Sequence, residues 1–172
     1  FVDFFNVGIK VNDSNIIYTH KDVNNLYSQY YVEDTNILKT EIFNTYFRVK
    51  LIQTDFCPIK ENVIVKRYKF KNENTIDLEL NFLVHSKLLT NNNNQVSGYK
   101  KDDVLLQYMH DYTVAIFGTE KISSTQINNS NSNIQDGVIG GKDYIGMSND
   151  SSINYYLGTL KPGEEKEIDL FI

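Results

Sequence analysis

Tryptophan is absent from this sequence, cysteine occurs once and proline twice. A single thiol cannot form an internal bridge, so no disulfide staples the chain, and its lone cysteine points to a reducing, cytoplasmic compartment. Cys57 stands between Phe56 and Pro58 and reads as a small packed side chain rather than a reactive thiol. No apolar run approaches the roughly 20 residues of a membrane span, and no basic-then-apolar leader opens the chain. Positive charge is in deficit, 17 Lys and Arg against 22 Asp and Glu for a net charge of −5. That balance argues against a nucleic-acid surface, which needs clustered Lys and Arg. Helical periodicity is also missing, since no window repeats its apolar residues every three or four positions.

The 172 residues suffice for one domain, residues 1–172. A chain of that length buries about 70% of its unfolded surface. It opens at Phe1 inside an apolar run, without an initiator Met. We therefore expect a fragment of a longer multidomain chain. The abundance of Asn, Lys, Ile and Tyr reads as a coding bias towards A and T. The sequons at Asn12, Asn128 and Asn149 are at chance frequency for so much Asn.

The most regular pattern covers residues 61–89. In its second half Ile76, Leu78, Leu80, Phe82 and Val84 fall on one side, with Asp77, Glu79 and Asn81 on the other. In its first half Ile64, Tyr68 and Phe70 share a face opposite Arg67, Lys69 and Lys71. A period of two is a strand with one face on a core. With Asn72-Glu73-Asn74 between the halves, the pattern predicts a hairpin whose charged faces pair, at about 0.2–1 kcal/mol per cross-strand contact.

Similar runs recur every 8–12 residues. Residues 4–11 and 15–19 flank an Asn12-Asp13-Ser14 turn. Residues 23–32 carry Tyr27, Tyr30 and Tyr31 and fit strand or irregular chain. Residues 37–43 and 46–52 read as strands, the latter with Phe47, Val49 and Leu51 opposite Arg48 and Lys50. Residues 56–60 form a connector, because Pro58 cannot donate to a ladder. Residues 104–110 and 112–118 are apolar on both faces, as suits strands covered on both sides. Residues 91–95 and 128–133 are polar loops, and Asp136-Gly137 and Gly140-Gly141 are turns. Residues 122–127, 153–157 and 165–172 are further strands. Lys161-Pro162-Gly163-Glu164 is a tight turn, with Pro presetting φ and Gly taking φ > 0. The fold class this implies is all-β, an antiparallel two-sheet β-sandwich.

Candidate sites are few. Asp77 and Glu79 lie about 6.6 Å apart along one strand face, within the ~6.5–9.5 Å of an inverting glycosidase pair. Every alternating strand offers that spacing, and Lys69 and Lys71 are expected opposite. Glu164-Glu165 and Asp102-Asp103 read as solvent-facing. His20, His85 and His110 form no His-x-x-x-His pair, and with Cys57 no Cys-x-x-Cys site exists. His110-Asp111 has the form of an oriented base, but no nucleophile elbow accompanies it. Gly140-Gly141-Lys142 has the look of a phosphate loop; Asp143 stands where Ser or Thr is needed and Asp136 where Gly is needed. Twelve Tyr and ten Phe could stack on sugars, yet core packing accounts for most of them. No catalytic, cofactor-binding or metal-ligating residue is assigned, and no cofactor is expected.

Three segments carry a family resemblance: FCPIKENVIVKRYKFKN with IDLELNFLVHSKLL, then VSGYKKDDVLLQYMHDYTVAIFG, then LGTLKPGEEKEIDLFI. They resemble the N-terminal domain of prokaryotic glucoamylase-type glycoside hydrolases (glucan 1,4-α-glucosidases). The resemblance implies a supersandwich, a large antiparallel β-sandwich that precedes an (α/α) barrel bearing paired catalytic glutamates. It implies a non-catalytic domain whose partner is the catalytic barrel of the same parent chain, with at most weak α-glucan contact, no nucleic acid and no membrane. It also implies that early strands lie ahead of Phe1. Two other readings stay open: an independent carbohydrate-binding module and a generic interaction sandwich. A contiguous exposed apolar patch would mark a docking face.

Overall fold

The computed structural model describes residues 2–88, 96–109, 112–128, 141 and 144–172. The expected loops at 91–95 and 129–133 and the turns at 136–137 and 140 lie outside them. The described residues form fourteen strands and no helix. In chain order they are β1 (Val2–Val11), β2 (Ile17–Tyr18), β3 (Asn25–Tyr31), β4 (Leu38–Asn44), β5 (Val49–Phe56), β6 (Val65–Asn72) and β7 (Leu78–Leu88). Then follow β8 (Val96–Lys101), β9 (Val104–Met109), β10 (Tyr112–Gly118), β11 (Ser124–Ile127), β12 (Ile145–Gly146), β13 (Asp150–Leu160) and β14 (Glu165–Phe171). One sheet has the order β11-β13-β7-β1-β2, the other β12-β8-β9-β10-β14-β6-β5-β4-β3. The pairings are antiparallel, as in β1–β7, β13–β7, β14–β6 and β5–β6. The fold is the all-β two-sheet sandwich that the alternation implies.

The layers meet through the alternating apolar side chains. Leu78, Leu80, Phe82 and Val84 of β7 face inward from the five-stranded sheet, and Tyr68 and Phe70 of β6 from the nine-stranded one; all are buried. Phe82 lies 4.7 Å from Tyr68 and 5.3 Å from Phe70 between ring centroids, and stacks on Tyr155 at 6.3 Å. Aromatic pairs at these separations contribute about 0.5–1.5 kcal/mol beyond the area they bury.

This arrangement corrects the predicted hairpin. β6 pairs with β5 and β14, while β7 pairs with β1 and β13. The chain between them crosses from one sheet to the other. Their apolar faces do meet, but across the core and not side by side. Alternation fixes which face of a strand is buried; it does not fix which strand is its hydrogen-bonded neighbour. Ile76 is exposed because β7 begins only at Leu78, and Ile64 is half-exposed just ahead of β6.

The return crossing, from β13 to β14, uses Lys161-Pro162-Gly163-Glu164. Glu164 N donates to Lys161 O at 2.9 Å and Gly163 has φ of +81°, as its turn requires. One residue ties these two of the chain's several crossings together. The fully buried Asn72 donates from Nδ2 to Ile76 O and to Leu160 O, both at 2.8 Å. Its Oδ1 accepts Asn74 N at 2.8 Å. Its backbone N donates to Glu164 O at 3.0 Å and its O accepts Gly163 N at 2.7 Å.

Three further expectations are corrected. Cys57 is exposed, not packed, because the connector after β5 runs over the surface. The strand expected from residue 46 begins at Val49; Arg48 takes a left-handed φ of 54°, and Asn44 Oδ1 accepts Phe47 N in the preceding turn. β9 and β10 are covered on one face only. Leu105 and Ile116 are in the core, whereas Phe117 on the other face is 38% exposed.

Asn72→Ala leaves the buried Leu160 carbonyl, the part-buried Ile76 carbonyl and the Asn74 amide without their side-chain partner. We expect it to destabilise the fold by about 2–4 kcal/mol, read as a lower urea midpoint at unchanged slope. A loss under about 0.5 kcal/mol would show that the amide does not hold the crossings.

Candidate functional site on the outer face of the long sheet

Side chains of the nine-stranded sheet that point away from the core divide its outer face into two halves. One half is ionic. Asp169 is opposite Arg67, Glu167 opposite Lys69, and Glu165 opposite Lys71. Arg67 donates from Nε and Nη2 to the two Asp169 oxygens at 2.8 and 2.9 Å, and its Nε is 3.2 Å from Glu167. Lys69 reaches Glu165 at 2.6 Å, and Lys50 reaches Glu41 at 2.9 Å. Tyr30 donates its hydroxyl to Glu41 at 3.2 Å. The basic side chains of β6 therefore do find acidic partners, though not at Asp77 and Glu79: Arg67 and Lys69 meet β14, Lys66 meets Asp55 of β5, and Lys71 meets Glu73. The hydrogen bonds from Arg67 hold the Asp169 carboxyl below its ordinary value, and those from Lys69 do the same for Glu165.

The other half is apolar. Phe117 of β10 and Phe171 of β14 stack at 5.0 Å with an interplanar angle of 18°. Phe171 is opposite Val65, and Val65 opposite Phe56, so the patch continues over three strands. The ladder between β10 and β14 is short, pairing Phe117 with Phe171 and Gly118 with Leu170. Beyond it the strands diverge around a hollow of about 590 Å³, lined among others by Val63, Ile64, Ala115, Phe117 and Ile172. Cys57 and Glu61 are on its rim. Gly118, next along β10, is tightly packed on its core side: a Cβ there would lie 3.1 Å from the Tyr155 ring and 3.2 Å from Asp169 O. Burial raises the Tyr155 hydroxyl far above its ordinary value, so it stays protonated.

The remaining candidate residues do not converge. Asp77 and Glu79 are exposed on the other layer. Glu164 and Glu165 are exposed. Asp102 is exposed in a turn with φ of 52°, but Asp103 is not free to face solvent, because its Oδ1 accepts Ile122 N at 3.0 Å. His20 is exposed. His85 is buried, hydrogen-bonded to Asp150 and edge-on to Phe4 at 4.8 Å. His110, Asp111, Gly140, Lys142 and Asp143 lie outside the described residues; Gly141 O accepts Thr125 N. Among the described residues no three His, Cys, Asp or Glu side chains come together as a metal site. No helix of the described residues is long and apolar enough to cross a membrane.

Sequence reasoning missed the role of Asp150 as the partner of His85 and of Gln107, which accepts Ser86 Oγ at 2.7 Å inside the fold. Their only signal was a polar residue at a core position of a strand. Tyr27, Tyr30, Tyr31 and Tyr46 are exposed. A hollow of about 280 Å³ lies beside β3, lined by Leu26, Phe43, Glu41 and Lys50 among others.

No protein-family model matches the chain. Along an alignment of 163 positions that covers 88% of the chain, it is 28% identical to an uncharacterized glycosyl hydrolase of Methanocaldococcus jannaschii. It spans about a quarter of that relative, 26%. Among solved structures it is similar to a bacterial glucoamylase complexed with acarbose, with a TM-score of 0.70 and 15% identity, over 96% of this chain and 26% of the other. The resemblance read from the three segments is borne out in fold, which is similar to that of about a quarter of a bacterial glucoamylase.

Arg67 is half-exposed, so solvent screening limits the Arg67–Asp169 pair to about 1 kcal/mol. Asp169→Asn should cost no more than that at pH 7. Because the folded carboxyl titrates below its ordinary value of 3.8, its contribution is complete above that value and is lost as pH falls through the folded one. Urea titrations of both proteins at pH 7 and in acid should therefore converge in acid. A difference that persists at the lowest pH would show that the substitution acts through packing instead.

Proposed function

We propose that this chain is a non-catalytic N-terminal β-sandwich domain of a glucoamylase-like α-glucan hydrolase, one domain of a longer chain. It packs against the separate (α/α) barrel that carries out hydrolysis. The observation that carries this reading is the divided outer face. Phe56, Phe117 and Phe171, with the hollow bordered by Val63, Ile64 and Ile172, form the contiguous apolar surface that a covering partner would bury. The ionic ladder beside it suits a face left in water. The similarity to a glycosyl hydrolase and to a glucoamylase fold supports the class of the parent. The exposed single thiol of Cys57 fits a reducing, cytoplasmic setting.

Bonds are cleaved elsewhere in this reading, so the purified chain should release glucose from maltose or soluble starch at the rate of a buffer blank. Turnover that follows the chain through repeated purification would contradict it. In the enzyme that carries the barrel, Phe117→Glu should lower the unfolding midpoint. The isolated sandwich, which loses only the Phe171 stack, should fall by no more than about 5 °C, clearly less than the enzyme. Equal loss in both would place the phenylalanine in folding, not in docking.

The second reading, a sugar-binding module, draws on the exposed Tyr27, Tyr30 and Tyr31 of β3. Retardation in starch- or glycogen-containing gels that is lost on Tyr→Ala substitution would favour it; unretarded migration removes it.

A further inference from the structure

The described strands leave four sheet edges: β11 and β2 close the short sheet, and β12 and β3 the long one. β2 and β12 are two residues each and β11 is four, too short to template another strand. β3 is seven residues, Asn-Leu-Tyr-Ser-Gln-Tyr-Tyr, and it is exposed from Leu26 to Tyr31. It has no charged side chain and no proline. Its ladder to β4 runs without a bulge from the Asn25–Asn44 pair to the Tyr31–Leu38 pair. Each device that normally blunts an edge is missing from this one.

The backbone of β3 specifies what would pair with it. Val32 N donates to Ile37 O in the same register as the ladder. Hydrogen-bonded and non-bonded pairs alternate along an antiparallel ladder. Leu26, Ser28 and Tyr30 therefore turn their backbone groups towards β4, and Tyr27, Gln29 and Tyr31 turn theirs outward. Asn25 N is used by Asp22 O, but its carbonyl shares the outward phase.

We propose that β3 is a self-pairing edge through which two copies of the chain join their long sheets, antiparallel about a two-fold axis at Ser28. In that register Tyr27, Gln29 and Tyr31 donate to the carbonyls of Gln29, Tyr27 and Asn25 of the second copy, so outward groups meet outward groups. A slip by one residue would set them against groups already used by β4. Leu26 comes opposite Tyr30 of the second copy on one face, an aliphatic–aromatic pair that stabilises a ladder. No like charges face each other, and only Ser28 meets itself. The partner is thus a second copy of this chain, selected by a sequence that complements itself.

Sedimentation velocity at protein concentrations up to about 0.1 mM, with Cys57→Ser as the parent background, tests this. The expected result is a mass that doubles reversibly with concentration. Ser28 falls at a non-hydrogen-bonded pair with Cα atoms about 4.5 Å apart, within disulfide reach. Ser28→Cys should therefore form covalent dimer on mild oxidation at least about tenfold faster than a control cysteine at the exposed Asp13. Gln29→Pro removes an outward donor and leaves the β4 ladder intact. It should abolish the doubling with an unchanged far-ultraviolet spectrum. A monomer at every concentration, or Ser28→Cys cross-linking no faster than the control, overturns the proposal.

Discussion

One buried amide holds the two layers in register. The chain passes between sheets after β6 and again after β13, and the side chain and backbone of Asn72 bond to both passages. A buried polar group with every partner in place rigidifies its surroundings, whereas the same group partly satisfied is costly. Because the crossings are pinned, Tyr68 and Phe70 are set down on Phe82 and not beside it. The core, the outward ionic ladder and the apolar end of the long sheet all follow from that placement. Alternation along β6 puts Arg67, Lys69 and Lys71 outside once Tyr68 and Phe70 are inside.

Much of this was legible in the residues. The period of two names the inward side chains of 68–70 and 78–84 correctly, failing only at Ile64 and Ile76 ahead of the strands, and the Pro162-Gly163 turn is where the structure places it. Strand neighbours were not legible, for a physical reason. Asn72-Glu73-Asn74 suits a hairpin turn as well as a crossing, and the discriminating interaction, Asn72 to Leu160 O, joins residues 88 apart in sequence. Charge misled in the same way. Lys69 and Lys71 suit Asp77 and Glu79 on paper, but the acidic residues that meet them are Glu165 of β14 and Glu73, just after β6.

The candidate site was legible in outline only. Alternating apolar residues on both faces of 112–118 announced a strand that one core could not cover. Phe171, about a third of the chain away, completes the patch only after β14 is placed beside β10. His85 looked like chemistry and proves to be held by Asp150 within the layer. The four terminal strands of the described sheets follow the same logic: their lengths come from topology, and of these four β3 is the long, uncharged one.

The central claim is that the apolar end of the long sheet meets a catalytic barrel while the ionic end stays wet. Hydrogen exchange read by mass spectrometry, comparing the isolated sandwich with the barrel-bearing enzyme, addresses it directly. The account predicts slowed exchange over residues 62–64 and 113–117 in the larger protein, with the ladder at 67–71 and 165–169 unchanged. Protection over the ladder, with 113–117 exchanging equally fast in both proteins, would contradict it.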